Sequence, residues 1–85
     1  MIKAGPEVVV PVPSPHTLGN LIDALEVHYP SLRHTLRDQE GNRRPYIRFY
    51  ACRIDISFWS WESGLPESVV QGQEPLLVVG AVSGG

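Results

Sequence analysis

Cysteine is nearly missing from this chain, with Cys52 standing alone among 85 residues. One thiol closes no internal disulfide and supplies no zinc finger, which removes those classes and fits a reducing compartment, the cytoplasm. Long apolar runs are missing as well. No stretch approaches the roughly 20 residues of a bilayer span, and Met1-Ile2-Lys3-Ala4-Gly5-Pro6 lacks the apolar core of a signal peptide. There is no GxxxxGK[ST] loop to cradle a phosphate. Gly19 and Gly41 stand apart, so any nucleotide chemistry falls to a partner. Length sets a further limit: a chain this short hides only about 60–65% of the surface it exposes when unfolded. One core is expected, with no room for an elaborate enzyme site of its own.

Charge is sparse and unevenly placed. The nine acidic residues outnumber the seven basic ones, for a net charge of −2. Yet all six arginines, Arg33, Arg37, Arg43, Arg44, Arg48 and Arg53, fall between positions 33 and 53, where only Asp38 and Glu40 oppose them. That window carries +4 and the remainder −6. A mildly acidic whole argues against general nucleic-acid binding. The basic stretch reads either as a solvated loop and edge strand or as a docking face for an acidic protein partner.

What is present divides into three periodicities. Val8, Val9, Val10 and Val12 form a β-branched run from Glu7 to Val12, closed by Pro11, Pro13 and Pro15, which suits an edge or terminal strand. From Thr17, the spacing of Leu18, Leu21, Ile22, Leu25 and Tyr29 places one apolar stripe on a helix that Thr17 caps and Pro30 ends. Ser31 opens a second short turn through Leu32 and Leu36, and Asp38 to Asn42 is a polar loop. Tyr46 to Ala51 and Ile54 to Phe58 are β-rich and tightly joined, with Ile54, Ile56 and Phe58 alternating against Asp55 and Ser57. Ser63-Gly64-Leu65-Pro66 and Gln71-Gly72-Gln73 are turns. Leu76-Leu77-Val78-Val79 reads as a buried strand. The order predicts an α+β domain with one long helix across a mixed sheet.

The last residues, Gly80-Ala81-Val82-Ser83-Gly84-Gly85, carry a strand into a small-residue tail. Two glycines fall at given positions by chance in about 0.5% of chains, so a chemical reading competes with that of a frayed end. Glycine has no Cβ, so such a tail can thread a narrow channel and leaves its acyl carbon uncrowded. Fully extended, Gly80 to Gly85 reaches roughly 20 Å. A carboxylate is a poor acyl donor and must first be joined to a leaving group such as AMP.

The order of these features resembles a known family. Thr17-Leu18-Gly19, Ala24-Leu25-Glu26, Tyr29-Pro30, Leu32, Leu36, Arg44-Pro45-Tyr46-Ile47, Asp55, Phe58, Gly64-Leu65 and Ala81-Val82-Ser83-Gly84-Gly85 look like a bacterial sulfur-carrier protein of the MoaD/ThiS type. Asp38 to Tyr46 is similar to the D-x-x-G…R-P-Y stretch of its longer, MoaD-like and CysO-like members. The resemblance implies a β-grasp (ubiquitin-like) fold, as a single domain over residues 1–80 with a flexible Gly-Gly tail at 81–85. It implies a protein cosubstrate that is not an enzyme and holds no cofactor. The Gly85 carboxylate would be adenylated by a MoeB/ThiF-like adenylyltransferase using ATP and magnesium. A sulfurtransferase or cysteine desulfurase would make it a thiocarboxylate, which donates sulfur in a biosynthetic enzyme, that of molybdopterin among several. By position, Val79 matches an apolar residue that contacts the activating enzyme, while Val82, Ser83 and Gly84 belong to the threaded tail. Neither nucleic acid nor membrane is an implied partner.

Three departures from the family add expectations. Only Met1 to Ala4 precede the Gly5-Pro6 turn, so the first strand is shortened or missing, and the sheet is expected to pair an edge with another chain. Cys52-Arg53 replaces the usual Asn-Gly hairpin turn, which predicts a different turn or a bulge. Gly80 stands where a proline often precedes the tail. His16, His28 and His34 have no metal-ligand spacing with Cys52, and Cys52 has no adjacent base, so neither a metal nor a thiol nucleophile is expected. Trp59 and Trp61 flank Ser60, so both are expected on one side of a strand, packed under the sheet in preference to forming a docking patch. The same tail also suits a ubiquitin-like modifier joined to proteins through Gly85, and a binding domain with an inert tail remains a further alternative.

Overall fold

The structure, a computed structural model, describes residues 2–4 and 8–80. Its elements are β1 (Ile2–Ala4), β2 (Val8–Val10), α1 (Leu18–His28), a 3₁₀ turn (Pro30–Leu32), β3 (Ile47–Ala51), β4 (Ile54–Asp55), α2 (Glu67–Val70) and β5 (Leu76–Gly80). The strands form one sheet in the order β2-β1-β5-β3-β4. β1 runs parallel to β5, and the other neighbours are antiparallel. This is the β-grasp arrangement, with its first strand shortened to three residues but still seated between β2 and β5.

The apolar stripe of α1 does what its spacing requires. Leu18, Leu21, Ile22 and Leu25 are buried in one cluster with Ile2, Val10, Ile47, Phe49 and Leu76 of the sheet. The helix start leaves no orphan donor. The Asn20 amide donates to Thr17 Oγ1 at 3.1 Å, and the Leu18 and Gly19 amides donate to the carbonyls of Ser63 and Trp61 at 3.0 and 2.8 Å. Gly19 is required by that approach, since a Cβ there would lie 3.0 Å from the Trp61 carbonyl oxygen. Tyr29, expected on the stripe, instead sits at the C-cap and is exposed.

Other expectations are corrected. The valine strand stops at Val10, where Pro11 withdraws a backbone donor. The strand expected from Ile54 to Phe58 ends at Asp55. Ser57 is the reason: its hydroxyl accepts the Phe49 amide at 2.9 Å and donates to Asp55, while its amide donates to Asp55 Oδ1 at 2.9 Å. A side chain thus takes a strand's place against β3, the chain turns, Ile56 is buried and Phe58 is left exposed. Trp59 and Trp61 therefore lie on no strand. Trp61 packs edge-on to Phe49, centroids 6.1 Å apart, and donates from Nε1 to the Gly41 carbonyl, whereas Trp59 is exposed.

The hairpin between β3 and β4 also differs from expectation. Cys52 and Arg53 both take positive φ, 52° and 65°, as a two-residue type I′ turn demands, although neither residue favours it. α2 was not foreseen; it buries Val69, and its Ser68 hydroxyl lies 3.0 Å from the Cys52 sulfur. Finally, β5 is not buried throughout. Leu76 is buried, but Leu77 and Val79 face solvent. No described helix is long and apolar enough to cross a membrane.

Candidate functional site

The outer face of the sheet is where chemistry-bearing residues gather. Strand β3 alternates, with Ile47, Phe49 and Ala51 turned into the core, so Arg48 and Tyr50 point outward. In the register, Arg48 lies opposite Val79 and Tyr50 opposite Leu77 on β5, and Asp55 on β4 opposes Tyr50. Val79 is 47% and Leu77 42% exposed. They form an apolar strip on a central strand, because the helices cover the other face alone.

Phe58 stands by Arg48, the residue opposite Val79. It is 78% exposed, with the guanidinium of Arg43 4.8 Å and that of Arg48 5.3 Å from its ring centroid. Arg43 is immobilised by backbone carbonyls: Nε donates to Ser57 at 2.9 Å, and Nη1 donates to Ile47 at 2.6 Å, Arg44 at 3.0 Å and Pro45 at 3.4 Å. Asp55 sits 3.7 Å from Arg48. Its carboxyl is held below the ordinary value, first by the Ser57 hydroxyl and amide and then by the charges of Arg48 and Arg43.

The basic window is therefore split between roles. Arg37 bridges to Asp23 at 2.7 Å and to Glu26 on α1, and lies 5.6 Å from the Trp61 ring. Burial disfavours its charge, but the hydrogen bonds and charges of Glu26 and Asp23 outweigh it and raise its pKa. Arg44 donates to the His34 carbonyl. These two serve the loop, while Arg43 and Arg48 serve the outer face.

Of the residues singled out from sequence, Val79 stands on this face. Val82, Ser83, Gly84 and Gly85 lie outside the described residues. Strand β5 ends at Gly80, paired with Ile47. Among the described residues no three His, Cys, Asp or Glu side chains gather as a metal site would need. Sequence reasoning missed Phe58 as a surface residue, and it placed Arg43 in the basic window without its contact to that ring. The signal was Asp55-Ile56-Ser57, an Asx-turn pattern that competes with a strand.

No family profile matches the chain, and no curated protein matches it in sequence. Among solved structures, the crystal structure of SAMP1 from Haloferax volcanii is similar with a TM-score of 0.69, covering 98% of this chain and 94% of that one at 21% identity. The likeness is one of fold, and the fold is the ubiquitin-like β-grasp.

Proposed function

We propose that this chain is a sulfur carrier of the MoaD/ThiS type, a protein cosubstrate whose working group is the Gly85 carboxylate. The observation that supports it most is the placement of β5. A central strand of a β-grasp sheet leaves Leu77 and Val79 bare on its outer face and then leads through Gly80 into Ala81-Val82-Ser83-Gly84-Gly85. A partner that grips the sheet is thereby close to the tail, which spans roughly 20 Å when extended.

In this reading a MoeB/ThiF-like adenylyltransferase docks on Val79 and its neighbours. A Gly85 carboxylate oxygen attacks the α-phosphorus of ATP, held with magnesium by that enzyme, and pyrophosphate leaves. The persulfide of a sulfurtransferase or cysteine desulfurase then attacks the acyl carbon, and AMP departs with the carboxylate-derived oxygen. A second thiol attacks the donor-side sulfur of the resulting acyl disulfide, leaving a disulfide on the donor and releasing the thiocarboxylate. Thiocarboxylate sulfur is a better nucleophile than carboxylate oxygen, which suits delivery to an acceptor in a biosynthetic enzyme.

Intact-mass spectrometry of the chain with ATP, magnesium, the adenylyltransferase and a sulfur donor tests this. A gain corresponding to one sulfur in place of one oxygen, lost in a Gly85 deletion, is the expected result. Isopeptide adducts on other proteins without that gain would turn the reading to a protein modifier. Activity that survives deletion of Gly85 would turn it to a binding domain.

A further inference from the structure

We propose that Phe58, next to Arg43 and to the Arg48 that lies opposite Val79, anchors a docking surface for a protein partner that presents an apolar socket rimmed by carboxylates. The inference rests on the reading above in one respect, taking the adenylyltransferase as that partner, and it names residues and a chemistry beyond Val79.

Exposure and specific contacts coincide at this ring. A phenylalanine left 78% exposed forgoes burial, yet this one has partners, because guanidinium groups stand 4.8 and 5.3 Å from its centroid. The first of these is fixed by the carbonyls of Ser57 and Ile47. A pre-ordered aromatic loses little conformational freedom on binding, which is what makes aromatic side chains effective anchors.

Charge selects the socket's rim. Stacking on a ring engages the face of a guanidinium and leaves its in-plane N–H groups directed outward, in the fork that matches a carboxylate. Among the described residues, the Arg48 side chain has one ionic neighbour, Asp55 at 3.7 Å, beyond hydrogen-bond reach. Its donors are therefore open. Arg43, Arg48 and Asp55 leave a net positive charge around the ring, within the basic window of an otherwise acidic chain. A carboxylate rim complements that pattern, whereas a basic partner would be repelled.

The test uses the full chain and the purified MoeB/ThiF-like adenylyltransferase of the same organism, with affinity read by calorimetry and turnover by ATP–pyrophosphate exchange. Phe58→Ala is expected to raise both Kd and the KM for the carrier about 10- to 100-fold at unchanged kcat. Arg48→Glu should weaken binding comparably and flatten its salt dependence, with Arg48→Lys intermediate. Val27→Ala, on an exposed position of α1, should bind as wild type, and melting curves report that each variant is folded. Wild-type affinity and salt dependence in folded Phe58→Ala and Arg48→Glu would overturn the proposal and leave the sulfur-carrier reading standing. Phe58-dependent binding without pyrophosphate exchange would support the surface and overturn that reading, and neither binding nor exchange by the wild type would overturn both. A homodimer dissolved by Phe58→Ala would give the face to a second copy, against the proposal.

Discussion

Replacing Arg43 tests how the loops around the outer face are held. Its Nε–H donates to Ser57, while the two hydrogens of Nη1 are shared among the carbonyls of Ile47, Arg44 and Pro45. At most three of these four contacts count as full bonds. At about 1 kcal/mol net for each, and discounting for partial solvent access, Arg43→Ala should lose about 2–3 kcal/mol. That is a large share of the roughly 4–13 kcal/mol expected for a domain of this length. Arg43→Lys separates geometry from charge: one ammonium cannot occupy the positions of both Nε and Nη1, so it should recover less than half of the loss. Urea unfolding followed by far-UV circular dichroism reads both, with the midpoint moving and the slope constant. A lysine variant as stable as wild type would refute the argument, because it would show that charge alone, without the fork, suffices.

Gly19→Ala should lower stability by about 1 kcal/mol, and the melting temperature by roughly 4–8 °C, since crowding of about 1–3 kcal/mol against the Trp61 carbonyl outweighs a helix-propensity gain of about 1 kcal/mol. A stabilised variant would mean that the 61–63 segment yields freely. Asp55 has a carboxyl pKa below its ordinary value, so its contribution is complete above the unfolded value, near 3.9, and disappears as pH falls through the lower folded value. The stability difference between wild type and Asp55→Asn should accordingly be constant from neutral pH to the carboxylate range and shrink below it. A difference that instead grows on acidification counts against the Ser57 hydrogen bonds as its origin. Cys52-Arg53→Asn-Gly should raise the urea midpoint, because these residues tolerate the positive φ now imposed on two that do not; an unchanged midpoint would show that the turn carries no strain.

The helix was legible because its determinants are local. Thr17, the 3.6-residue spacing of Leu18 to Leu25, and Pro30 act within the segment they define, and runs of β-branched, aromatic and other apolar residues mark β2, β3 and β5 in the same way. What was not legible depends on distant groups. Gly19 reads as a lone glycine inside a helix until Trp61 is brought against it. Ile54 to Phe58 alternates like a strand, but Ser57 can satisfy the Phe49 amide with its hydroxyl, and that bond requires β3 already to be alongside. Cys52-Arg53 is forced into a tight turn by the strands on either side, against its own preference. Val79, read from sequence within a buried strand, is half exposed, because only one face of β5 is covered, and Phe58 was hidden by the strand reading.

The same truncation of β4 that defeats the sequence pattern creates the surface. If Ile54 to Phe58 continued as a regular strand, Ile54, Ile56 and Phe58 would share one face, and Ser57 would oppose them. The Ser57 bonds to Phe49 and Asp55 instead bury Ile56 and swing Phe58 outside, between the two arginines. Removing the hydroxyl thus acts on two levels. Ser57→Ala leaves the buried Phe49 amide without its partner, a loss of about 1–3 kcal/mol, and also releases the turn that presents Phe58. Ser57→Thr retains a hydroxyl at a crowded site and should restore some presentation while losing packing. Nuclear magnetic resonance shifts of the Phe58 ring report the difference directly: contact with Arg43 and Arg48 should vanish in Ser57→Ala and persist in part in Ser57→Thr. Retention of the full contact in Ser57→Ala would show that the arginines alone place the ring.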